Sequence, residues 1–142
     1  MSIKIKVNEA RPMYEMSNKR KFQTGLPVNI WIDEGGWYAG HAKRIKFQLN
    51  HADRMANQPS ASMTLDGELV LDTYDKSVSE LSKADIRAVS NFVKNNAFAL
   101  DKIADEEIYM DTFDEFMIRG GEPATAEQIA FARSEIAKRI RK

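Results

Sequence analysis

Both histidines of the chain lie in one short stretch, GHAKRIKFQLNH, at positions 41 and 51. Imidazole nitrogens and carboxylate oxygens are common metal ligands, and His51 stands two residues before Asp53. Together with Asp33, Glu34 and His41, this pair is a candidate metal-dependent catalytic site. The spacing matches no established ligand motif, and such residues in polar loops are commonly only solvated. We expect no metal and no catalysis here, and keep a metal-dependent enzyme as the third alternative.

Three basic residues, Lys43, Arg44 and Lys46, lie between the two histidines. Basic groups hold phosphate and aromatic rings stack on bases, so this stretch is a candidate nucleic-acid surface. The other interpretation is an amphipathic strand whose outer face is charged for solubility. Further contributors to a nucleic-acid surface would be Lys19, Arg20, Lys21, Trp31 and Trp37.

A strongly acidic segment follows position 100, with seven carboxylates against one lysine, Lys102. Aromatic residues such as Tyr109 are interleaved with the acids. An exposed segment of this kind could mimic nucleic-acid phosphate or dock on a basic protein surface, where complementary charge selects the partner. The competing interpretation is a solvated helix face above core aromatics. The carboxylates are Asp101, Asp105, Glu106, Glu107, Asp111, Asp114 and Glu115.

The composition excludes several kinds of chemistry. No cysteine is present, which removes thiol nucleophiles, disulfides, thiolate zinc sites and Cys-ligated iron–sulfur clusters. The sequence contains neither a glycine-rich phosphate loop nor a Gly-x-Ser-x-Gly elbow. The 21 basic and 21 acidic residues balance, so no global field draws nucleic acid to the protein. We therefore predict that the protein is not an enzyme and needs no cofactor.

The hydropathy pattern argues against a membrane protein. The N-terminus has no apolar core of signal-peptide length, and no run approaches the roughly 20 apolar residues of a membrane span. The absence of cysteine suits a reducing compartment. We expect a soluble cytoplasmic protein without a membrane partner.

The first half of the chain alternates between apolar and polar residues, which is typical of half-buried strands. The pattern predicts strands at 3–7, 26–33 and 44–49, a loop or an extended arm at 8–25, and a loop at 50–61. Asp66-Gly67 between alternating apolar runs predicts a hairpin with a type I′ turn, which requires positive φ at both positions.

From Ser82 the apolar period becomes helical. Ser82 with Asp85 forms an approximate capping box, and an apolar stripe predicts a helix that runs to about Leu100. The acidic segment is predicted to be partly helical and to end at Gly120-Gly121. A second capping pair, Thr125 with Gln128, predicts the final helix.

This order of elements predicts an α+β protein. We expect an N-terminal antiparallel sheet of about four to six strands, followed by two to three helices packed on one face. Residues 1–142 are interpreted as a single domain. Its parts are a strand-rich half at 1–75, a helical region at 80–118 and a C-terminal helix at 125–141. The GGEPAT segment is the one plausible hinge, so the last helix would dock on the domain or on a partner.

Four stretches carry a resemblance to known proteins: LPVNIWIDEGG, GHAKRIKFQ, ASMTLDGELVLD and the helix containing NFVKNNAFAL. They resemble small uncharacterised bacterial proteins of mobile elements and phage. The last two are also similar to a short family of unknown function found beside toxin–antitoxin genes. Members of that family carry a His-Phe-His core where this chain has Ile45-Lys46-Phe47, so the role of those histidines does not carry over. The resemblance covers 26–108 and implies an accessory protein in conflict between phage, plasmids and their hosts.

These observations favour a protein-binding module without catalysis, acting as an inhibitor, an antitoxin-like partner or an anti-defence factor. Tyrosine and tryptophan are the residue types that most often anchor interfaces. The alternative is a small nucleic-acid-binding protein that uses the outer face of Arg44, Lys46 and Gln48. The residues predicted to contact a protein partner are Trp31, Trp37, Tyr38, Glu106, Glu107, Tyr109, Asp111, Asp114 and Glu115.

Overall fold

A computed structural model of the protein describes residues 16–33 and 43–141. The strand predicted at 3–7 lies outside these described residues. Four of the residues singled out from the sequence also lie outside them, namely Glu34, Trp37, Tyr38 and His41.

The described part of the chain contains a four-stranded antiparallel sheet in which the strands are neighbours in chain order. This confirms the predicted sheet, at the lower end of the predicted strand number. The strands are β1 (Ser17–Lys19), β2 (Ile30–Ile32), β3 (Arg44–Gln48) and β4 (Ser60–Thr64).

Within the described residues, the stretch predicted as a loop or an extended arm at 8–25 contains a strand and a short helix, so that prediction is wrong there. Strand β1 pairs with β2 over three residues, from Ser17 opposite Ile32 to Lys19 opposite Ile30. A one-turn helix follows, α1 (Lys21–Thr24), which ends at Gly25 in the left-handed conformation that glycine tolerates best. Only three residues of β1 pair, too few for a period-2 pattern to predict the strand.

One face of the sheet forms the core. Ile30 lies opposite Phe47, and Ile45 lies between Ile32 and Met63. All five side chains are at most 1% exposed. They belong to one apolar cluster with buried residues of the helices, so the helices cover this face of the sheet.

The Asp66-Gly67 hairpin turn forms, but not as the predicted type I′ turn. The Gly67 amide donates to the Thr64 carbonyl at 2.9 Å, and the Thr64 amide donates to Glu68 O at 2.9 Å. Within the turn, Gly67 alone has a positive φ, 82°. A three-residue loop that ends in a left-handed glycine is another common hairpin connection, and it places no strain on Asp66.

The second strand of this hairpin is shorter than predicted. It is a single bridge between Met63 and Leu69, with the Val70 amide donating to Ser62 O at 2.9 Å. The chain then enters a 3-10 turn at Leu71–Thr73.

Four helices follow the sheet, rather than the two to three predicted. The helix expected to run to Leu100 breaks at Asn96, and the acidic segment contributes a separate helix that ends at Phe116, before the glycine pair. Both predicted capping pairs are confirmed, because Ser82 and Thr125 each accept a hydrogen bond from the third helical amide. The helices are α2 (Lys83–Asn95), α3 (Ala97–Ala104), α4 (Met110–Phe116) and α5 (Ala126–Ala137).

The predicted hinge is fastened to α2. The Asn95 amide group donates to Glu122 O at 2.8 Å, and its oxygen accepts from the Ala124 amide at 3.0 Å. A Cβ added at Gly121 would lie 2.4 Å from the Ala88 Cβ, so the segment packs directly on the helix. Helix α5 docks on the domain through Ile136, which is 2% exposed. Of the two alternatives for the last helix, the described residues show docking on the domain, with the hinge segment held against α2.

Across the described residues, no helix has both the length and the apolar character that a membrane crossing needs.

Candidate functional site

Several carboxylates of the acidic segment form ion pairs with lysines of the same chain. Lys43, immediately before β3, lies 2.8 Å from an Asp101 oxygen and 2.7 Å from an Asp105 oxygen. Lys19 of β1 is almost buried and lies 2.5 Å from an Asp114 oxygen on α4. These carboxylates join helices to the sheet, and this internal use limits the predicted role of Asp114 in contacting a partner.

Glu107, another residue predicted to contact a partner, is also engaged within the chain. Its carboxylate lies 3.2 Å from the Lys102 ammonium, and its carbonyl accepts a hydrogen bond from the Arg141 amide at 2.7 Å. Glu107 therefore stabilises the fold through its backbone as well as through its charge.

Three carboxylates of the segment, those of Glu106, Asp111 and Glu115, are exposed and have no side-chain partner among the described residues. Tyr109 lies among them in the chain, and 59% of it is exposed. We call these four residues the acidic surface. It combines negative charge that is unpaired among the described residues with a largely exposed aromatic residue.

An arginine of the same chain already binds on the acidic surface, at Tyr109. The Arg141 guanidinium lies 4.3 Å from the centre of the Tyr109 ring. Its Nη1 donates to the Glu106 carbonyl at 2.9 Å. Glu106 adopts a left-handed backbone, φ 60°, which is uncommon for a glutamate. The surface is therefore shaped to hold a guanidinium against a ring and a carbonyl.

Trp31 is not the exposed aromatic that the sequence suggested. It is 5% exposed and lies opposite Lys46, on the sheet face away from the helices. The alternation of β2 correctly assigns it to the second face, but that face is covered at this point. The expectation of an exposed anchor at Trp31 is wrong, and Trp37 and Tyr38 lie outside the described residues.

The basic face of β3 differs from the predicted nucleic-acid surface. Burial opposes the charge of Lys43, yet the carboxylates of Asp101 and Asp105 outweigh it and hold the lysine pKa above its ordinary value. Burial, with the nearby charge of Arg44, lowers the pKa of half-buried Lys46. The ion pairs of Lys43 and the partial burial of Lys46, rather than these pKa shifts, weaken the alternative of nucleic-acid binding through β3.

Gln48, the third residue of that proposed face, is fully buried. It accepts a hydrogen bond from Asn29 at 3.2 Å and donates to Asn50 Oδ1 at 2.7 Å. Asn29 in turn accepts from the Lys21 amide at 3.0 Å and donates to the Ala52 carbonyl at 3.1 Å. Gln48 therefore fixes the loop after β3, and its burial keeps it from contacting nucleic acid. The sequence prediction missed this burial, because the sequence does not show whether an amide side chain at a strand end is buried.

The candidate metal pair is split between different partners. His51 Nε2 lies 2.7 Å from an Asp85 oxygen at the start of α2, and the Asp53 carboxylate lies 2.8 Å from the Lys21 ammonium. The hydrogen bond and charge of Lys21 lower the pKa of Asp53. The described residues contain no group of three or more potential metal ligands.

A cleft of about 620 Å³ opens beside α1, and sequence reasoning missed it as a site. The sequence indicated only part of this cleft. Arg20 and Lys21 were identified as basic residues, but nothing in the sequence shows that they lie near Arg119 in the fold. The long separation of these residues hides the cleft from any local pattern. We call it the basic cleft; its walls are Arg20, Lys21, Phe22, Gly25, Leu26, Asn29, Asp53 and Arg119.

Neither protein-family models nor curated proteins nor solved structures gave a significant match to this chain.

Proposed function

We propose that this protein is a non-catalytic protein-binding module of bacterial or phage origin, acting in the cytoplasm as an inhibitor, an antitoxin-like partner or an anti-defence factor. Its acidic surface receives an arginine-bearing basic segment of the partner. The observation that carries the proposal is the stack of Arg141 on Tyr109, at 4.3 Å, within a stretch of chain that includes the exposed carboxylates of Glu106, Asp111 and Glu115.

Arg141 supplies the chemical model for the partner. A guanidinium over a tyrosine ring gains both stacking and cation–π attraction. The carboxylates of Glu106, Asp111 and Glu115 would add complementary charge around it, which raises the association rate and disfavours acidic partners. Tyrosine is enriched among the residues that dominate interface energies, so Tyr109 is the proposed anchor.

The test is affinity capture from bacterial lysate on the full chain, with and without nuclease, read by mass spectrometry. The test variant is Glu106→Gln with Asp111→Asn and Glu115→Gln, which removes three charges while keeping side-chain shape. The matched control removes three other exposed charges, by Asp72→Asn, Glu80→Gln and Glu122→Gln. The proposal expects a nuclease-resistant protein that the control variant retains and the test variant loses.

The anchor is tested separately on the captured partner. Tyr109→Ala should weaken binding by about 30-fold, the effect of losing a contact worth about 2 kcal/mol. Retention of the partner by the triple variant and by Tyr109→Ala would overturn the proposal that the partner binds at the acidic surface. Loss of all capture after nuclease treatment would overturn protein binding in favour of nucleic acid.

A further inference from the structure

We infer that the basic cleft binds a nucleotide-like anion, a planar ring that carries a phosphate group. This inference goes beyond the proposed function, because the cleft and the acidic surface share no residue. Its volume, about 620 Å³, falls in the range of small-ligand sites.

The charge of the cleft is the first argument. Among the described wall residues, three are cations and one, Asp53, is an anion. The Asp53 carboxylate lies 2.8 Å from the Lys21 ammonium, so these two charges offset each other. Arg20 and Arg119 have no carboxylate partner among the described residues. Two positive charges therefore remain for a ligand.

Both guanidinium groups are held in place without being neutralised. Arg119 donates from Nε to the Gln23 carbonyl at 3.0 Å and from Nη2 to the Phe22 carbonyl at 2.7 Å. Arg20 donates from Nη1 to the Asp53 carbonyl at 3.0 Å. Because a guanidinium has five N–H donors, each arginine keeps donors for phosphate, and its ordering precedes binding.

The aromatic wall is the second argument. Phe22 lies on α1, is 74% exposed and lines the same cleft as the two arginines. A phenylalanine this exposed loses the benefit of burial, and most of it remains accessible to a ligand. Base–aromatic stacking uses that face, and it accepts any base because every base has a π surface.

Close backbone contacts hold the walls of the cleft together. The Gly120 amide donates to the Thr24 carbonyl at 2.7 Å, which joins the end of α1 to the segment after α4. A Cβ at Gly25 would lie 3.3 Å from the Gly120 nitrogen, and Gly25 has φ 78°, so this approach depends on glycine. The arginines and the ring thus project from a fixed backbone.

An acidic peptide would also satisfy the two free charges. The pairing of an open aromatic ring with two guanidinium groups in one cleft favours a ligand that has a ring and a phosphate together. We therefore argue for the nucleotide-like anion and treat the peptide as an outcome of the test.

The experiment titrates the full chain with adenosine 5′-monophosphate at low salt, by calorimetry and by NMR of backbone amides. Adenosine, ribose 5-phosphate and inorganic phosphate test the parts of the ligand. Phe22→Ala and Arg20→Gln remove the ring and one charge, and Phe22→Trp restores a ring. Matched controls are Phe131→Ala, at a second exposed phenylalanine, and Arg87→Gln, at an exposed arginine of α2.

Saturable binding of the monophosphate, at least about tenfold tighter than each of its parts, supports the inference. Phe22→Ala and Arg20→Gln should each weaken it by about tenfold, with Phe22→Trp and both controls unchanged. No saturable binding, or binding that ignores Phe22 and Arg20, overturns it. Much tighter binding of a ten-residue oligothymidylate or of a polyglutamate peptide at the same residues also overturns it, because the occupant is then a polymer.

Discussion

Asp85 shows how one residue can serve two elements. Its carboxylate accepts the Ser82 amide at 3.0 Å and closes the capping box of α2, and it also lies 2.7 Å from His51 Nε2. Burial alone would raise the pKa of Asp85, but the hydrogen bonds from Ser82 and His51 outweigh burial and lower it. The capping box follows from sequence because its members are three residues apart. The His51 contact does not, because it spans 34 residues.

Replacing Asp85 with Ala should lower the free energy of unfolding by about 1 kcal/mol at pH 7, the usual effect of losing a capping contact. Because the pKa is lowered in the folded state, this stabilisation is complete above the unfolded value, about 3.9, and is lost as the pH falls through the folded value. Urea unfolding at several pH values measures it, with Glu80→Ala as the control. A difference from the native chain that stays constant down to pH 2 would contradict this account.

The environment of Lys46 in the folded protein disfavours its positive charge. Burial, followed by the charge of Arg44, lowers its pKa. The unfolded chain then holds the proton at pH values where the folded chain has lost it, so stability should rise as the pH rises from the folded toward the unfolded pKa, about 10.4.

Lys46→Met keeps the length of the side chain and removes the charge. We expect a higher Tm than the native chain at pH 7 and a smaller advantage at pH 10, both measured by thermal unfolding. A variant with a lower Tm at pH 7 would show that the ammonium group stabilises the fold.

At the scale of elements, periodicity predicted the strands β2 and β3 and the start of α2, because each depends on neighbours in sequence. It missed β1 and the break between α2 and α3. Both depend on distant partners: β1 needs β2, and the break at Asn96 serves the segment after α4. A local pattern contains no information on such partners.

Asn96 is 4% exposed and connects these elements. Its amide donates to the Phe92 and Ile118 carbonyls at 2.8 and 2.9 Å, and its oxygen accepts from the Ile118 amide at 2.8 Å. Removal of the side chain leaves partly buried backbone groups of Ile118 without these partners.

Asn96→Ala should therefore lower the free energy of unfolding by about 3 kcal/mol, as expected for unsatisfied buried polar groups. Asn91→Ala is the matched control, because half-buried Asn91 makes one such bond, to the Gly121 carbonyl at 2.9 Å. Its loss should amount to about 1 kcal/mol. Chemical denaturation measures both, and equal effects would rule out a special role for Asn96.

At the scale of the whole molecule, the order of strands and helices was enough to predict the α+β class. The charge pairs that join the sheet to the helices were not predictable, since Lys43 and Asp101 are 58 residues apart in sequence. The same limit explains why the acidic segment could be identified from sequence, while its division into paired and unpaired carboxylates could not.

Lys43→Met removes the link between β3 and α3. The carboxylates that it contacts are partly exposed, so water and salt screen the pairs, and we expect a loss of about 1 kcal/mol at low salt. The difference from the native chain should shrink in 1 M salt. Lys76→Met, at an exposed loop lysine, is the control. A loss that salt leaves unchanged would point to packing of the side chain.

The contact between Thr24 and Gly120 also bears on how the molecule unfolds. It closes a loop that contains β2, β3, β4 and three of the helices, while Asn96 holds the same segment to α2. The segment therefore cannot detach from α1 without disturbing the end of α2. The amides of Ile118 and Gly120 should exchange with deuterium only as often as the entire chain opens, so the sheet and the last helices behave as one cooperative unit.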